Sequence, residues 1–566
     1  MLYFLGCLAF FQITFLPGYL LLHWLKINSR TSIEKLIEVF SLSLITNFVV
    51  VFLLTVLRLY YPIIVYIIFL TELLSFLLII KNNLPTLTFF WPKKFNLIFG
   101  LLFLFAGLTL LRFLFLFVQN LSLTSVFLTG DVLDSWNPWA VQWLQNQLPH
   151  PTFHYPQLIT ANWSLTYVFM QTTQVQIFAK LLMTCFIPLL LMTFVDLFQQ
   201  MKKLLYLFGL IITGILFHYY FDSSFLREGY VDIAFAFFAF LPFYFWLLYE
   251  KTKRKKYLFM ILISSLGCFL TKQLGIYIVL LALIQPGRLF MVQHINLKGN
   301  KYLRFIIFII VLLVATFLWY GLKINEIITT LNINTIYNSA TNYAFINKPL
   351  TARLAHDWLL LAPNYKGMIL VIAIFLLQIP ALVNKSSLKI IVFIVIPFFV
   401  FWTLFLNYDQ RNLAVIFPYL GYTTAVGLHY NQLINWSKKK LQLFLSAKNI
   451  FLLGLAISLI CNLFIKDQKL LFEQNEGKKQ IGIPELNSRL YNYYNKNGFR
   501  GKIATSYYRL CNLPEIGKYC YYSKQYNSII MKQSDIKYLL YPKDVLQPVK
   551  EGKKIIFSFR GWKFSH

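Results

Sequence analysis

Apolar stretches of about 20 residues, the length needed to cross the hydrocarbon core of a bilayer, recur along this 566-residue chain from one end to the other. In lipid a backbone must satisfy its own hydrogen bonds, so such stretches become helices and a many-helix bundle follows. The 58% hydrophobic content and a mean hydropathy of +0.62 exclude a water-soluble globule of this length. The pattern predicts helices at 2–25, 35–58, 61–81, 96–118, 175–198, 204–220, 230–249, 257–271, 273–287, 304–322, 367–384, 389–406, 411–430 and 449–466. The first run reaches Trp24 with no basic stretch before it, which reads as a span and not as a cleaved signal peptide.

Charge assigns the sides. A net charge of +31, from 52 basic and 21 acidic residues, would suggest nucleic acid in a soluble protein. Here Lys and Arg gather in short loops between apolar runs, the arrangement that membrane topology requires, and nucleic acid is not an expected partner. Lys26, Arg30 and Lys35, then Lys81, Lys93 and Lys94, then Lys202 and Lys203, mark cytoplasmic loops. Lys251, Lys253, Arg254, Lys255 and Lys256 mark the strongest one, and the later basic loops keep the alternation. Residues 113–179 contain no Lys or Arg and are therefore expected outside. The alternation holds if the apolar stretch 157–172 is a short helix embedded from the outer side without crossing. These assignments give about fourteen spanning helices, an external amino terminus and an external tail.

The tail, residues 467–566, is charged and Tyr-rich with short β-prone runs at 502–508 and 536–541. Its length suits a small α/β domain. Cys511 and Cys520 lie in it and would close a short loop if they pair in an oxidising compartment. The remaining cysteines, Cys7, Cys185, Cys268 and Cys461, sit in apolar runs and read as small hydrophobes.

External loops in helical bundles are normally short, but the one from 119 to about 157 is long and carries GDVLDSWNPWAVQWLQNQLP at 130–149. Asp131 and Asp134 are its only carboxylates, and it holds no basic side chain. Trp136, Trp139 and Trp143 recur at three and four residues, one face of a helix expected to lie in the membrane interface. The bland alternative is an interfacial helix with solvated aspartates favoured by its dipole. The next external loop, FDSSFLREGYVD at 221–232, adds Asp222, Glu228 and Asp232, the last entering an apolar helix. A carboxylate at a helix mouth in a bilayer is costly and a functional candidate. Lys272, at the outer turn of the hairpin 257–287, and Arg411, opening the helix 411–430, lie at the same level. Each alone reads as a headgroup anchor; together with the acids they fit a general base facing a phosphorylated lipid. His150 and His154 stand near the aspartates, but their spacing is no known metal signature; a divalent metal is left open as a cofactor.

In order and position these motifs resemble the GT-C superfamily, the multi-helix glycosyltransferases that take sugars from polyprenyl-phosphate donors. Protein O-mannosyltransferases and aminoarabinose transferases are members. GDVLDSW at 130–136 matches the acidic first external loop, and YPQLITANWSLTY at 155–167 the Pro-containing segment after it. REGYVDIAFAFF at 227–238 matches the second acidic site, FLTKQLG at 269–275 the Lys-Gly turn, and DQRNLAVIFPYL at 409–420 a late Arg…Pro helix. The likeness covers roughly 96–430. It implies an N-terminal transmembrane extension at 1–95, a catalytic transmembrane region at 96–466 with external loops 119–157 and 221–230, and an external domain at 467–566. It also implies a sugar transfer from a lipid-phosphate donor to a glycan, lipid or protein acceptor at the outer face of the plasma membrane. Asp131, Asp134 and Asp232 would be catalytic, with Glu228, Tyr155, Lys272 and Arg411 binding substrate. The sequence departs from the common pattern in having no acidic residue directly after Asp131, so Asp131 and Asp134 both stand as the base. A transporter or flippase of lipid-linked glycans is the rival, and it should carry ionisable residues along mid-helix depth.

Overall fold

The computed structural model describes residues 1–82, 97–123, 127, 131–150, 152, 155–173, 175–221, 229–292, 300–324, 328, 349–406, 409–433 and 496, and strand segments between 502 and 565. It is a helical membrane protein. Every predicted segment from 2–25 to 411–430 coincides with helix, while 449–466 lies outside the described residues. Among the described residues, seven helices are long and apolar enough to cross a membrane: Leu2–Trp24, Ser32–Val56, Pro62–Ile80, Ile177–Met201, Val231–Thr252, Tyr365–Val383 and Lys385–Leu406.

In chain order, α1 (Leu2–Thr14) and α2 (Leu16–Trp24) are one run broken at Phe15, where Pro17 starts the second piece. They are followed by α3 (Ser32–Val56), α4 (Pro62–Asn82), α5 (Leu97–Leu123), α6 (Asn137–Leu144) and α7 (Leu158–Met170). Next come α8 (Ile177–Met201), α9 (Leu205–Tyr220), α10 (Val231–Thr252), α11 (Lys256–Thr271), α12 (Gly275–Val292) and α13 (Asn300–Leu322). The series closes with α14 (Leu350–Leu361), α15 (Tyr365–Gln378), α16 (Lys385–Leu406, with π turns) and α17 (Phe417–Leu433), the last entered through the 3-10 turn Gln410–Ile416.

The core lies where α8 and α10 pack between α3, α9 and α11. Phe186, Phe237 and Phe40 interlock there edge to face, a geometry that suits aromatic quadrupoles. The peripheral α4 leaves Leu70, Leu74, Leu77 and Leu78 exposed, as a lipid-facing helix should.

Two glycines bring chemistry into place. A Cβ on Gly275 would stand 2.5 Å from backbone atoms of Cys268 and Phe269, so only glycine lets α12 fold back on α11 directly after Lys272. Gly229 takes a φ of +91° against Phe127 and Trp163, a conformation that L side chains rarely adopt, just before the chain enters α10.

Helix α7 is 13 residues long, about 20 Å. It is therefore too short to span, and it is buried along its whole length among α1, α3 and α6. Trp136, Trp139 and Trp143 are buried inside the protein, not laid in the membrane interface. Trp143 stands 5.8 Å from Trp319 of α13, and Trp136 and Trp139 pack on each other and on Tyr155. An apolar stripe marks the buried face of a helix but does not say whether lipid or protein buries it.

In the tail, β1 (Lys502–Thr505), β2 (Cys520–Tyr522), β3 (Ile536–Pro542), β4 (Ile555–Phe559) and β5 (Trp562–Ser565) form one mixed sheet of order β2-β1-β3-β5-β4. β1 runs parallel to β2 and β3, and β5 antiparallel to β3 and β4. Cys520 belongs to β2, and Cys511 lies outside the described residues.

Candidate functional site

Tyr230 holds an extended conformation before α10 and delivers Asp232 into the first helical turn, where a carboxylate is favoured by the helix dipole. Lys272 leaves α11 in an extended conformation. Its ammonium donates to Asp232 Oδ1 at 2.6 Å and to Asn412 Oδ1 at 3.1 Å. Asp409 caps the 3-10 turn, its carboxylate accepting from the Arg411 N–H at 2.9 Å. The Arg411 guanidinium then sits among three acids: Nη2 is 2.5 Å from Asp131 Oδ2, Nε is 2.8 Å from Asp409 Oδ2, and Nε is 4.0 Å from Asp232 Oδ2. Its carbon lies 4.5 Å from the centroid of the Tyr230 ring, a cation–π contact. Trp402 pins the chain from behind, donating from Nε1 to the Asp409 carbonyl at 2.9 Å.

Four candidates from four separate stretches of sequence, Asp131, Asp232, Lys272 and Arg411, thus meet in one cluster. Among the described residues, three carboxylates face two cations. Asp131 is the outermost member with its side chain 51% exposed, whereas Asp232, Lys272 and Arg411 are largely buried. The Arg411 Nε contact with Asp409 is ionic in distance but not aligned as a hydrogen bond. Burial raises the Asp409 carboxyl above its ordinary value, with the Arg411 charge and backbone N–H offsetting part of that.

Asp131 has a cationic partner, supplied by the turn before α17 and not by its own loop. Tyr155 is half-buried against Trp136 at 5.3 Å. Asp134 contributes backbone to the π turn Val132–Trp136; its side chain, like Asp222, Glu228 and His154, lies outside the described residues. His150 is exposed, its backbone held by Gln142. Among the described residues no group of three His, Cys, Asp or Glu could hold a metal ion. Asp409, Asn412 and Tyr230 were not singled out from sequence. The DQRN run is the signal that was there, an acidic cap set against an arginine.

A second polar network occupies the other end of the α10–α11 hairpin. Lys256 Nζ is 2.5 Å from Glu34 Oε1 and 3.2 Å from Glu38 Oε1. Tyr257 and Gln200 donate to Glu34 at 3.0 Å each, and Ser29 donates to Glu38 at 2.5 Å. Asp196 accepts from Tyr244 and Gln200 at 2.6 Å each and from Thr31. Every oxygen of these three buried carboxylates has a donor. Lys256, read from sequence as a loop charge, is therefore the largely buried ion-pair partner of two fully buried acids.

Neither a protein-family model nor a curated protein matches the chain.

Proposed function

We propose that the chain is a glycosyltransferase of the GT-C type, moving a sugar from a polyprenyl-phosphate donor to an acceptor at the outer face of the plasma membrane. The reading rests on one observation, the meeting of Asp131, Asp232, Lys272 and Arg411 in a single partly open cluster. On this reading about fourteen helices span the membrane, the hairpin end bearing Lys272 faces outward, and the sheet-containing tail is an external α/β domain that meets the acceptor.

The donor phosphate binds the Arg411 and Lys272 cations, taking Arg411 from Asp131. The released carboxylate accepts the proton of an acceptor hydroxyl as that oxygen attacks the anomeric carbon. The bond from that carbon to the phosphate oxygen breaks, and polyprenyl phosphate leaves with the electron pair. Its charge is held by the same two cations. Asp232 keeps Lys272 in position, and Asp134 remains the alternative base. No Gly-rich nucleotide loop is present in the sequence and none is needed.

The test compares envelope glycans and lipid-linked sugars with and without the gene. Loss of one sugar from the envelope together with accumulation of its lipid-linked donor is the expected result; an unchanged glycan profile contradicts the reading. The rival, a transporter of lipid-linked glycans, is favoured by Glu72 near the middle of α4, which accepts from Gln12 at 3.4 Å. Transport predicts that the lipid-linked sugar accumulates in the inner leaflet when the gene is lost, whereas transfer predicts the outer leaflet.

A further inference from the structure

Helix α14 is amphipathic in the reverse of the usual sense for a surface helix. Leu350, Leu354, Trp358 and Leu359 are exposed, while Asp357 is buried and Arg353 and His356 are partly buried. An outward apolar face suits the acyl region of a membrane; it leaves the polar face turned toward the protein.

That polar face hangs on the two segments that carry the site. Arg353 donates to the Leu404 carbonyl at 3.3 Å, and Trp402, in the same π turn, donates to the Asp409 carbonyl. Further along α14, Tyr220 donates through its hydroxyl to the Leu361 carbonyl at 2.9 Å, and the Tyr220 carbonyl accepts from Gln410 at 2.9 Å. Asp357 lies one turn after Arg353 and one turn before Leu361, on the face between these two anchors. It is 3% exposed, and neither carboxylate oxygen has a hydrogen-bond partner among the described residues. A buried carboxylate without donors is strongly disfavoured. It persists where something bound supplies the missing donors.

Resting on the glycosyl-transfer reading, we propose that Asp357 is a sugar-recognition residue, its two free oxygens accepting O–H or N–H donors from the sugar of the lipid-linked donor. It is not a catalytic residue: Asp131 takes the proton, and Asp357 selects and orients the group being transferred. The inward face of α14 is then one wall of the donor site, with acyl chains against its outward face.

The experiment uses the full chain and the variants Asp357→Asn and Asp357→Leu. Two readouts are taken: thermal stability in detergent, and transfer kinetics in membranes with synthetic polyprenyl-phosphate-linked hexose and amino pentose. Both variants should melt at or above the wild-type temperature, because each removes a buried carboxyl group whose oxygens lack hydrogen-bond partners among the described residues. Both should lose about 10–100-fold in kcat/KM for the lipid donor, the worth of a hydrogen bond to a charged group. For a neutral sugar Asn should stay near the tenfold end, since its amide oxygen still accepts from a hydroxyl; for an amino sugar it should approach the hundredfold end. Variants that melt well below wild type would make Asp357 structural and overturn the assignment, as would wild-type kinetics in both. A wild-type protein that transfers neither sugar overturns the glycosyl-transfer reading itself, and with it this role for Asp357; an active wild type with unaffected variants overturns Asp357 alone.

Discussion

At one end of the α10–α11 hairpin, Lys256 meets Glu34 and Glu38 in a network whose acids are wholly buried and fully bonded. At the other end, Lys272 and Arg411 meet Asp232, Asp409 and a half-exposed Asp131. The two lysines flank one 16-residue helix and stand about 24 Å apart along it. The residue types are the same and the chemistry available is different. In the Glu34 network Tyr244, Tyr257, Gln200, Thr31 and Ser29 use up the carboxylate oxygens, so a ligand would find nothing to bind. In the Asp131 cluster a guanidinium is shared among three acids with imperfect alignment, and the outermost acid opens to solvent. A saturated network locks helices together, while an unsaturated one at a surface is available to exchange partners.

The contrast can be broken by removing its members. Lys256→Met would leave Glu34 and Glu38 buried without their cation, a loss of roughly 3–5 kcal/mol. It should be seen as a large drop in melting temperature and in accumulated protein. Lys272→Ala, beside a cluster that still holds Arg411, should leave the fold largely intact and weaken use of the lipid donor. If Lys272→Ala melts as early as Lys256→Met, the two ends do not differ as described.

A smaller effect is expected at the turn that presents Lys272. Gly275→Ala forces a methyl against the Cys268 backbone, a cost of about 1–3 kcal/mol, and should lower both the melting temperature and donor use. An Ala variant with wild-type stability would mean that the turn yields without strain.

The smallest effect belongs to Asp409. Its raised carboxyl means that the folded state holds its proton to higher pH than the unfolded chain does. Stability contributed by this group therefore falls as pH rises from the ordinary carboxylate value through the folded one. Asp409→Asn should flatten that segment of the stability–pH curve in detergent. An unchanged slope would mean that another group governs it.

Much of the site was legible because charge sidedness is written in the loops. Basic residues fixed one level of the bundle, and Asp131, Asp232, Lys272 and Arg411 were left together at the other. Their pairing was not legible, since the partner of Asp131 comes from far along the chain and helix packing decides which arginine reaches it. Sequence also misplaced the Trp136–Trp143 face, because lipid and protein present the same apolar partner to a stripe. The Thr31–Glu34 cap, where the Thr31 hydroxyl accepts from the Glu34 N–H at 3.0 Å, looks like any solvated helix start. Only the approach of α8, α10 and α11 turns it into a buried network. Helix α14 was missed because its charges fall on the protein side and its leucines on the outside.

On the proposed function Asp131 is the base of a sugar transfer at the open cluster, and replacing one of its carboxylate oxygens tests that role most directly. Asp131→Asn keeps size and polarity, and the side chain is half exposed, so the protein should insert and accumulate as wild type does. Transfer from the lipid-linked donor, measured in membranes holding equal amounts of each protein, should fall by about 10²–10⁴-fold, the usual loss with a general base. Wild-type transfer by a well-inserted Asp131→Asn protein would contradict that role for Asp131.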